Sequence, residues 1–180
     1  MTALYMVSCY LIGTVLTAEW VSRLLYDGNI RNLGSRNPGA RNMGRVYGKW
    51  AFVLTLLGDA SKGIIAVLMG RILTLPDELV LAGLLVTMIG HITPFYRKFK
   101  GGEAVATFLG GVTAFDPWLL VVFSSVCLLA LIFKASVTVA GWLGFIVIPL
   151  AGYVLTKDIT TTVLLSMAVI ILIIAARREK

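Results

Sequence analysis

Long apolar runs alternate with short polar segments along the whole chain, and seven of these runs predict membrane-spanning helices. The runs are Leu4–Leu25, Trp50–Leu73, Leu79–Ile92, Ala104–Phe115, Trp118–Phe133, Val137–Leu155 and Ile159–Ala176. A complete helical crossing needs about 20 apolar residues. Because the third and fourth runs are shorter, we expect these two to be tilted or partly re-entrant. Five or six spans are the alternatives to seven.

The composition fits a membrane protein and excludes an ordinary soluble domain. Of the 180 residues, 58% are hydrophobic and only 14% are charged. Soluble domains have about 45–50% apolar and about 25% charged residues. A water-soluble fold of this size would need more polar surface than the sequence offers. We therefore predict a single all-α, polytopic membrane domain that covers residues 1–180.

The positions of the basic residues predict the orientation of the chain. Of the 16 Lys and Arg residues, 13 fall in the last residues of the first run or after the first, third, fifth and seventh runs. Lys and Arg accumulate in cytoplasmic loops, so these segments are predicted to be cytoplasmic, with the N-terminus outside and the C-terminus inside. The 13 residues are Arg23, Arg31, Arg36, Arg41, Arg45, Lys49, Arg97, Lys98, Lys100, Lys134, Arg177, Arg178 and Lys180.

The net charge of +7 does not predict nucleic-acid binding, because the basic residues lie between apolar runs. Lys and Arg in such positions attract anionic lipid headgroups, so anionic membrane lipids are expected partners. Cys9 and Cys127 lie in apolar runs and are expected to pack as small side chains. A single histidine and scattered carboxylates predict no metal site. No cofactor is expected, since no nucleotide-binding fingerprint occurs.

Two polar segments on the predicted cytoplasmic side carry the residue types that bind phosphate. The first, residues 34–45, combines serine, asparagine and arginine side chains with several glycines. In the second, residues 90–107, Gly101 and Gly102 precede the fourth apolar run. Free N–H groups at the start of a helix favour a bound phosphate. Two cationic sites on one face fit a reaction that joins two phosphorylated compounds.

Two ionisable residues lie inside the second apolar run. Asp59 and Lys62 are three positions apart and therefore share one face of the predicted helix. Charged groups at such depth are costly and normally face a partner or a cavity. They either support the polar segments or form a salt bridge that fixes helix packing, and the sequence leaves both interpretations open.

The polar motifs occur in a characteristic order. Gly34-Ser35-x-Asn37-x-Gly39-Ala40-x-Asn42-x-x-Arg45 is followed by Asp59-x-x-Lys62-Gly63, then by Gly90-His91-x-x-Pro94 and by Phe99-Lys100-Gly101-Gly102-x-x-Val105-Ala106-Thr107. Ser136 is a weaker, third match. In this order, and over nearly the whole chain, the sequence resembles the PlsY family of bacterial acyl-phosphate-dependent glycerol-3-phosphate acyltransferases.

The resemblance implies seven helices with a site at the cytoplasmic face of a bacterial cell membrane. It implies transfer of a fatty acyl group from acyl phosphate to glycerol 3-phosphate, giving lysophosphatidic acid. Acyl phosphate is already activated, so such an enzyme mainly neutralises charge, holds both reactants and excludes water. The acceptor's own phosphate could help remove its hydroxyl proton. An enzyme that produces acyl phosphate is an expected partner.

The resemblance also implies roles for individual residues, although it assigns no catalytic group. Ser35, Asn37, Asn42, Arg45 and Ser136 are expected to bind glycerol 3-phosphate, and Asn37 and Asn42 are also expected to shape their loop. The acyl phosphate is expected to contact Lys100, Gly101, Gly102, Val105, Ala106 and Thr107. Asp59, Lys62 and His91 are expected to support these groups, and His91 is expected to be architectural rather than a general base.

The sequence departs from the family pattern at three places. The family has lysine where this chain has Glu103, and threonine where it has Arg41. The family's C-terminal signature, with His and Asn beyond the last helix, is not matched, so part of the acceptor site is expected to be absent. One hypothesis is that Arg41 compensates for Glu103 by pairing with it.

Acyl transfer is the first hypothesis, which the intact segment from Ser35 to Arg45 favours. The missing lysine and C-terminal signature favour an alternative function. The chain would then be a non-catalytic or substrate-shifted paralogue that binds phosphorylated lipid precursors or regulates a catalytic relative. A small transporter is disfavoured, because transporters bind substrate near the membrane midplane, whereas the polar residues here cluster at one interface.

Overall fold

Helices account for most of the protein, and the computed structural model describes residues 1–178. The α-helices are α1 (Thr2–Thr14), α2 (Thr17–Tyr26), α3 (Ala40–Tyr47), α4 (Lys49–Ile72), α5 (Asp77–Ile92), α6 (Val105–Phe115), α7 (Pro117–Ile132), α8 (Val137–Thr156) and α9 (Ile159–Arg177). Single turns of 3-10 helix occur at Ile30–Asn32 and Phe95–Arg97. Residues 1–178 contain no strand, so the predicted all-α class is confirmed.

Five helical segments of the described chain are long and apolar enough to cross a membrane. They are Thr2–Tyr26, Lys49–Ile72, Asp77–Arg97, Val137–Thr156 and Ile159–Arg177. The shorter apolar helices α6 and α7 coincide with the fourth and fifth predicted runs. A multi-span membrane protein is therefore confirmed, while the count of seven crossings and the orientation of the termini stay predictions.

The first span is interrupted at Val15 and Leu16, both of which have extended backbone between α1 and α2. An interrupted helix frees carbonyl groups that need other donors. Here the Tyr96 hydroxyl donates to the Thr14 carbonyl at 2.7 Å, and the Lys62 ammonium donates to the Val15 carbonyl at 2.7 Å. The sequence did not predict the break, because the apolar run continues through it.

Helices α4, α5 and α6 form the centre of the fold, with α4 and α6 side by side in the same direction. Near the start of α6 the Thr107 hydroxyl donates to the Asp59 carbonyl at 3.0 Å. At the end of α6 the Arg71 guanidinium donates to the Phe115 carbonyl at 2.6 Å. The main hydrophobic core around these helices includes Leu84, Met88, Phe108, Ile148 and Leu172.

The close approach of α4 and α6 depends on glycine. A Cβ at Gly63 would overlap the Thr107 carbonyl oxygen and come within 2.6 Å of the Gly111 nitrogen. A Cβ at Gly110 would overlap the Ala60 carbonyl oxygen. Backbone atoms of packed helices cannot move aside as a flexible side chain can, so a larger residue at either position forces the helices apart.

The helix α6 is short because the chain before it runs without helical structure along the end of α5. The Gly101 N–H donates to the Ile92 carbonyl at 2.9 Å, and the Gly102 N–H donates to the His91 carbonyl at 3.1 Å. Non-helical backbone within a membrane protein is stable where its polar groups find protein partners. These bonds explain why the fourth apolar run is too short for a regular crossing.

We predict that Gly63→Ala destabilises the protein by about 1–3 kcal/mol, because overpacking separates α4 from α6. Gly141→Ala in α8 is the matched control, since a Cβ there meets no atom within 4 Å. Alanine is favoured over glycine in a helix by roughly 0.5–1 kcal/mol, so the control should be neutral or slightly stabilising. Thermal unfolding in detergent measures both, and equal unfolding midpoints for the two variants would contradict the prediction.

Candidate active site

The first polar segment is folded around the buried side chain of Asn42. Its Oδ1 accepts a hydrogen bond from the Ser35 N–H at 2.9 Å. Its Nδ2 donates to the Leu33 and Asn37 carbonyls, each at 3.0 Å. Asn42 therefore shapes the loop, as the sequence predicted, but both of its amide hydrogens are used by the backbone. The Ser35 side chain lies on the exposed side of this loop.

Residues 40–47, which the sequence analysis treated as loop, form the helix α3. Asn42 and Met43 are buried, while Arg41 and Arg45 lie one turn apart on the exposed face. Arg45 is in the last turn of α3, where the helix dipole stabilises a positive charge. Because α3 has only two buried residues, its apolar pattern in the sequence is too weak to predict a helix.

The second polar segment lies directly against the first. A Cβ placed on Gly102 would sit 3.3 Å from the Pro38 carbonyl oxygen and would overlap His91 Nε2. The backbone at position 102 therefore lies between the first segment and the His91 ring, with no room for a side chain. Pro38 and Gly102, one from each of the two polar segments, are thus neighbours in space although 64 positions separate them in the sequence (102 − 38).

Beneath Gly102 lies a buried group of three ionisable side chains. The Lys62 ammonium is 2.9 Å from Asp59 Oδ1 and 2.7 Å from His91 Nδ1. All three residues are at most 4% exposed. Asp59 and Lys62 therefore form a salt bridge within the helix packing, and Lys62 also contacts the histidine next to Gly102. Their support of the polar segments stays a prediction.

The contact with Lys62 fixes the tautomer of His91. An ammonium group has three donors and no acceptor, so the Nδ1 that faces it must accept. The proton of the neutral imidazole is then on Nε2, the nitrogen that faces Gly102. His91 consequently presents a donor toward the second segment and has no free nitrogen to act as a base.

We predict a single neutral Nε2–H imidazole in the protein labelled with ¹⁵N-histidine. His91 is the only histidine, so the ¹⁵N spectrum reports this ring alone. Lys62→Met removes the donor to Nδ1 and should introduce the Nδ1–H tautomer or exchange between the two. A spectrum dominated by Nδ1–H in the unsubstituted protein would contradict the assignment.

A buried carboxylate, Glu19, connects the second segment to Arg31, which lies just before the first segment. Glu19 of α2 is 5% exposed, and Arg31 Nε donates to it at 2.5 Å. Arg97 donates to its other oxygen, and Arg23 lies 3.9 Å away. The signal was a carboxylate inside an apolar run, since charges at such depth normally have partners. The sequence did not reveal which arginines these were.

The remaining predicted residues differ in how accessible their side chains are to a ligand. Thr107 is fully buried and its hydroxyl is used by the Asp59 carbonyl. Ser136 is exposed and caps α8, accepting from the Val139 N–H at 3.3 Å. Lys100 and Arg41 are exposed. The predicted partnership of Arg41 with Glu103 is not seen, since residues 1–178 contain no ion pair between them.

No group of three or more His, Cys, Asp or Glu residues suited to a metal occurs within the described chain. The two polar segments present backbone amides, hydroxyl groups and cationic side chains. Such groups bind phosphate and stabilise developing negative charge. The fold and the site together define a helical membrane protein that acts on anionic, phosphorylated compounds.

Comparison with known proteins identifies the family. The family model described as Glycerol-3-phosphate acyltransferase matches residues 3–180. A relative named Glycerol-3-phosphate acyltransferase 1 from Bacillus cereus is 40% identical over 179 residues, covering 99% of this chain and 98% of the relative. Glycerol-3-phosphate acyltransferase from Thiobacillus denitrificans is 44% identical over 138 residues, covering 74% of this chain and 69% of the relative.

Solved structures of PlsY (YgiH), an integral membrane glycerol 3-phosphate acyltransferase, have the same fold. The glycerol 3-phosphate form superposes with a TM-score of 0.88 at 28% identity, covering 98% of this chain and 88% of that chain. A lysophosphatidic acid form gives a TM-score of 0.87. The chain belongs to the glycerol-3-phosphate acyltransferase family. The predicted family, the acyltransferase class and the membrane location are confirmed, and the non-catalytic alternative is not favoured.

Proposed function

We propose that this chain transfers a fatty acyl group from acyl phosphate to glycerol 3-phosphate, forming lysophosphatidic acid and releasing inorganic phosphate. The observation that carries the proposal is the contact between Pro38 of the first segment and Gly102 of the second. This contact brings two anion-binding segments to one place, as a reaction between two phosphorylated substrates requires. The ligands named for the PlsY structures support the same acceptor and product.

Ser35 and Arg45 are proposed to bind the phosphate of glycerol 3-phosphate. Both side chains are exposed beside the loop that Asn42 shapes. A guanidinium forms two parallel hydrogen bonds to a phosphate, which orients the acceptor as well as attracting it. Asn37, which is half-buried in the same loop, completes this side. Ser136 has weaker support, although its cap bond uses an oxygen lone pair and its hydroxyl proton can still be donated.

The acyl phosphate is proposed to bind at the first turn of α6, next to Gly101 and Gly102, whose own N–H groups already donate to the Ile92 and His91 carbonyls. Val105, Ala106 and Thr107 are the first three residues of that helix, and the N–H groups of a first turn have no partner within the helix. Their backbone, rather than the buried Thr107 hydroxyl, would hold the phosphate. Lys100 adds positive charge at the exposed edge.

In the proposed reaction the acceptor hydroxyl oxygen attacks the acyl carbonyl carbon. The bond from that carbon to the phosphate oxygen breaks, and phosphate leaves with the electron pair. The acceptor's own phosphate takes the hydroxyl proton, so no serine–histidine pair is needed. His91 is not proposed as the base, because its Nδ1 is bound to Lys62 and its ring lies beneath Gly102.

The site is proposed to face the cytoplasm, where glycerol 3-phosphate is available. The exposed Arg36, Arg41, Arg45 and Lys49 lie on the same segment, and cytoplasmic loops of membrane proteins are rich in such residues. These cations would also contact anionic lipid headgroups. An enzyme that makes acyl phosphate would supply the donor from the same side.

We predict that Arg45→Ala lowers kcat/KM for glycerol 3-phosphate by at least about 100-fold, as expected for removal of a charged donor from the reacting groups. Arg45→Lys keeps the positive charge but cannot form two parallel hydrogen bonds to a phosphate, so it should recover only part of the lost kcat/KM. The assay uses purified protein, labelled glycerol 3-phosphate and palmitoyl phosphate, and detects lysophosphatidic acid.

Lys157→Gln is the matched control, because this exposed cation lies in the turn between α8 and α9. The double variant Ser35→Ala/Arg45→Ala measures contaminating host enzyme. Unchanged activity in Arg45→Ala, or an equal loss in the Lys157 control, would exclude Arg45 from the acceptor site.

We further propose that Arg41 supplies the cation missing at position 103, without requiring direct contact with Glu103. Arg41→Thr should then reduce activity, and Glu103→Lys should restore it in the Arg41→Thr background. Coupling of the two changes above about 0.5 kcal/mol in kcat/KM is expected, since independent sites add within that limit. Additive effects in the double variant would rule out compensation.

A further inference from the structure

Glu19 binds two arginines that lie at the two substrate segments: Arg31, three residues before the first segment, and Arg97, within the second. Arg31 lies four residues before Ser35, and Arg97 lies four residues before Gly101. The two arginines bind the two oxygens of the same buried carboxylate. Arg31 also donates from Nη2 to the Lys100 carbonyl at 2.7 Å, which ties it directly to the second segment.

The contact of Arg23 with Glu19 differs from those of Arg31 and Arg97, because it does not connect Glu19 to a polar segment. Arg23 lies one turn after Glu19 on the same helix, 3.9 Å from the carboxylate, and its side chain is 54% exposed. Such an exposed pair contributes little, and it connects α2 only to itself. Arg31 and Arg97 are less exposed, and each connects the backbone at a polar segment to the Glu19 carboxylate.

We propose that Glu19 is a positioning residue for acyl transfer, because its carboxylate fixes the separation between the acceptor segment and the donor segment through Arg31 and Arg97. The inference rests on the proposed function, in which these segments bind glycerol 3-phosphate and acyl phosphate. Glu19 contacts neither substrate, so its effect is on how the two sites are placed relative to each other.

The expected consequence follows from the geometry of bimolecular transfer. The attacking oxygen and the acyl carbon must be about 3–3.5 Å apart, and a displacement of about 1 Å can reduce the rate about 100-fold. A change in the spacing of the two segments should therefore lower kcat. The affinity for each substrate should change little, since each segment keeps its own ligand-binding groups.

Amide hydrogen exchange tests the structural half of the proposal without any substrate. Glu19→Gln removes the charge at nearly constant size and should increase exchange in peptides that cover residues 27–38 and 97–104 together. Arg23→Gln is the matched control and should leave both peptides unchanged. Unchanged exchange in either segment of Glu19→Gln, or an equal increase in Arg23→Gln, would overturn the proposal.

Steady-state kinetics, normalised to folded monodisperse protein, test the functional half. Glu19→Gln should reduce kcat at least about tenfold with both KM values within about threefold, as expected from misplacement rather than lost binding. Glu19→Asp should recover part of kcat, because it restores the charge. A kcat in Glu19→Gln within about twofold of the unsubstituted protein would overturn the proposal.

A second variant covers the case in which Glu19→Gln does not fold. Arg31→Lys keeps the positive charge but cannot bind Glu19 and the Lys100 carbonyl together as the guanidinium does, and it should give the same pattern of exchange and kcat. If the unsubstituted protein transfers no acyl group, the proposed function fails. Exchange in the two segments then still decides whether Glu19 holds them.

Discussion

The Lys62 ammonium is the buried group that connects three helical segments of the interior. It forms hydrogen bonds with the Val15 carbonyl and with His91 Nδ1, each at 2.7 Å, and an ion pair with Asp59 Oδ1 at 2.9 Å. A charge buried in a membrane protein is stable only when its partners are complete. The break between α1 and α2, the middle of α4 and the end of α5 are therefore fixed to one point, directly beneath Gly102.

Two layers of charge follow from this arrangement. The deep layer, Asp59 and Lys62, is neutral as a pair. The layer above it contains the Glu19 carboxylate with Arg31 and Arg97, which together keep one positive charge. The excess positive charge thus lies at the level of the polar segments, where a phosphate would bind, and the interior below it carries none.

Hydropathy alone predicted most of the helices, because a chain in a membrane must place long apolar runs there. The role of Asn42 in shaping its loop was also predictable, since its partners lie within nine residues. The pairing of Glu19 with Arg31 and Arg97 was not predictable, because Arg31 is 12 positions and Arg97 is 78 positions away from Glu19 in the sequence. The break at Val15 escaped prediction for the same reason: its compensating donor, Lys62, is 47 positions away.

The Glu103 carboxylate is the feature of the sequence that most disfavours catalysis, and the cations around it offset its negative charge. Glu103 is half-buried next to Gly102, and a negative charge there opposes a bound phosphate. The exposed Arg36, Arg41, Arg45 and Lys100 nevertheless leave the surrounding segments strongly cationic. Exposed charges act through solvent and are screened by salt, so Arg36, Arg41 and Lys100 attract an anion more than they orient it. In the proposed reaction the replacement of the family's lysine by Glu103 should therefore weaken donor binding, while Ser35 and Arg45, the groups proposed to bind the acceptor, stay in place.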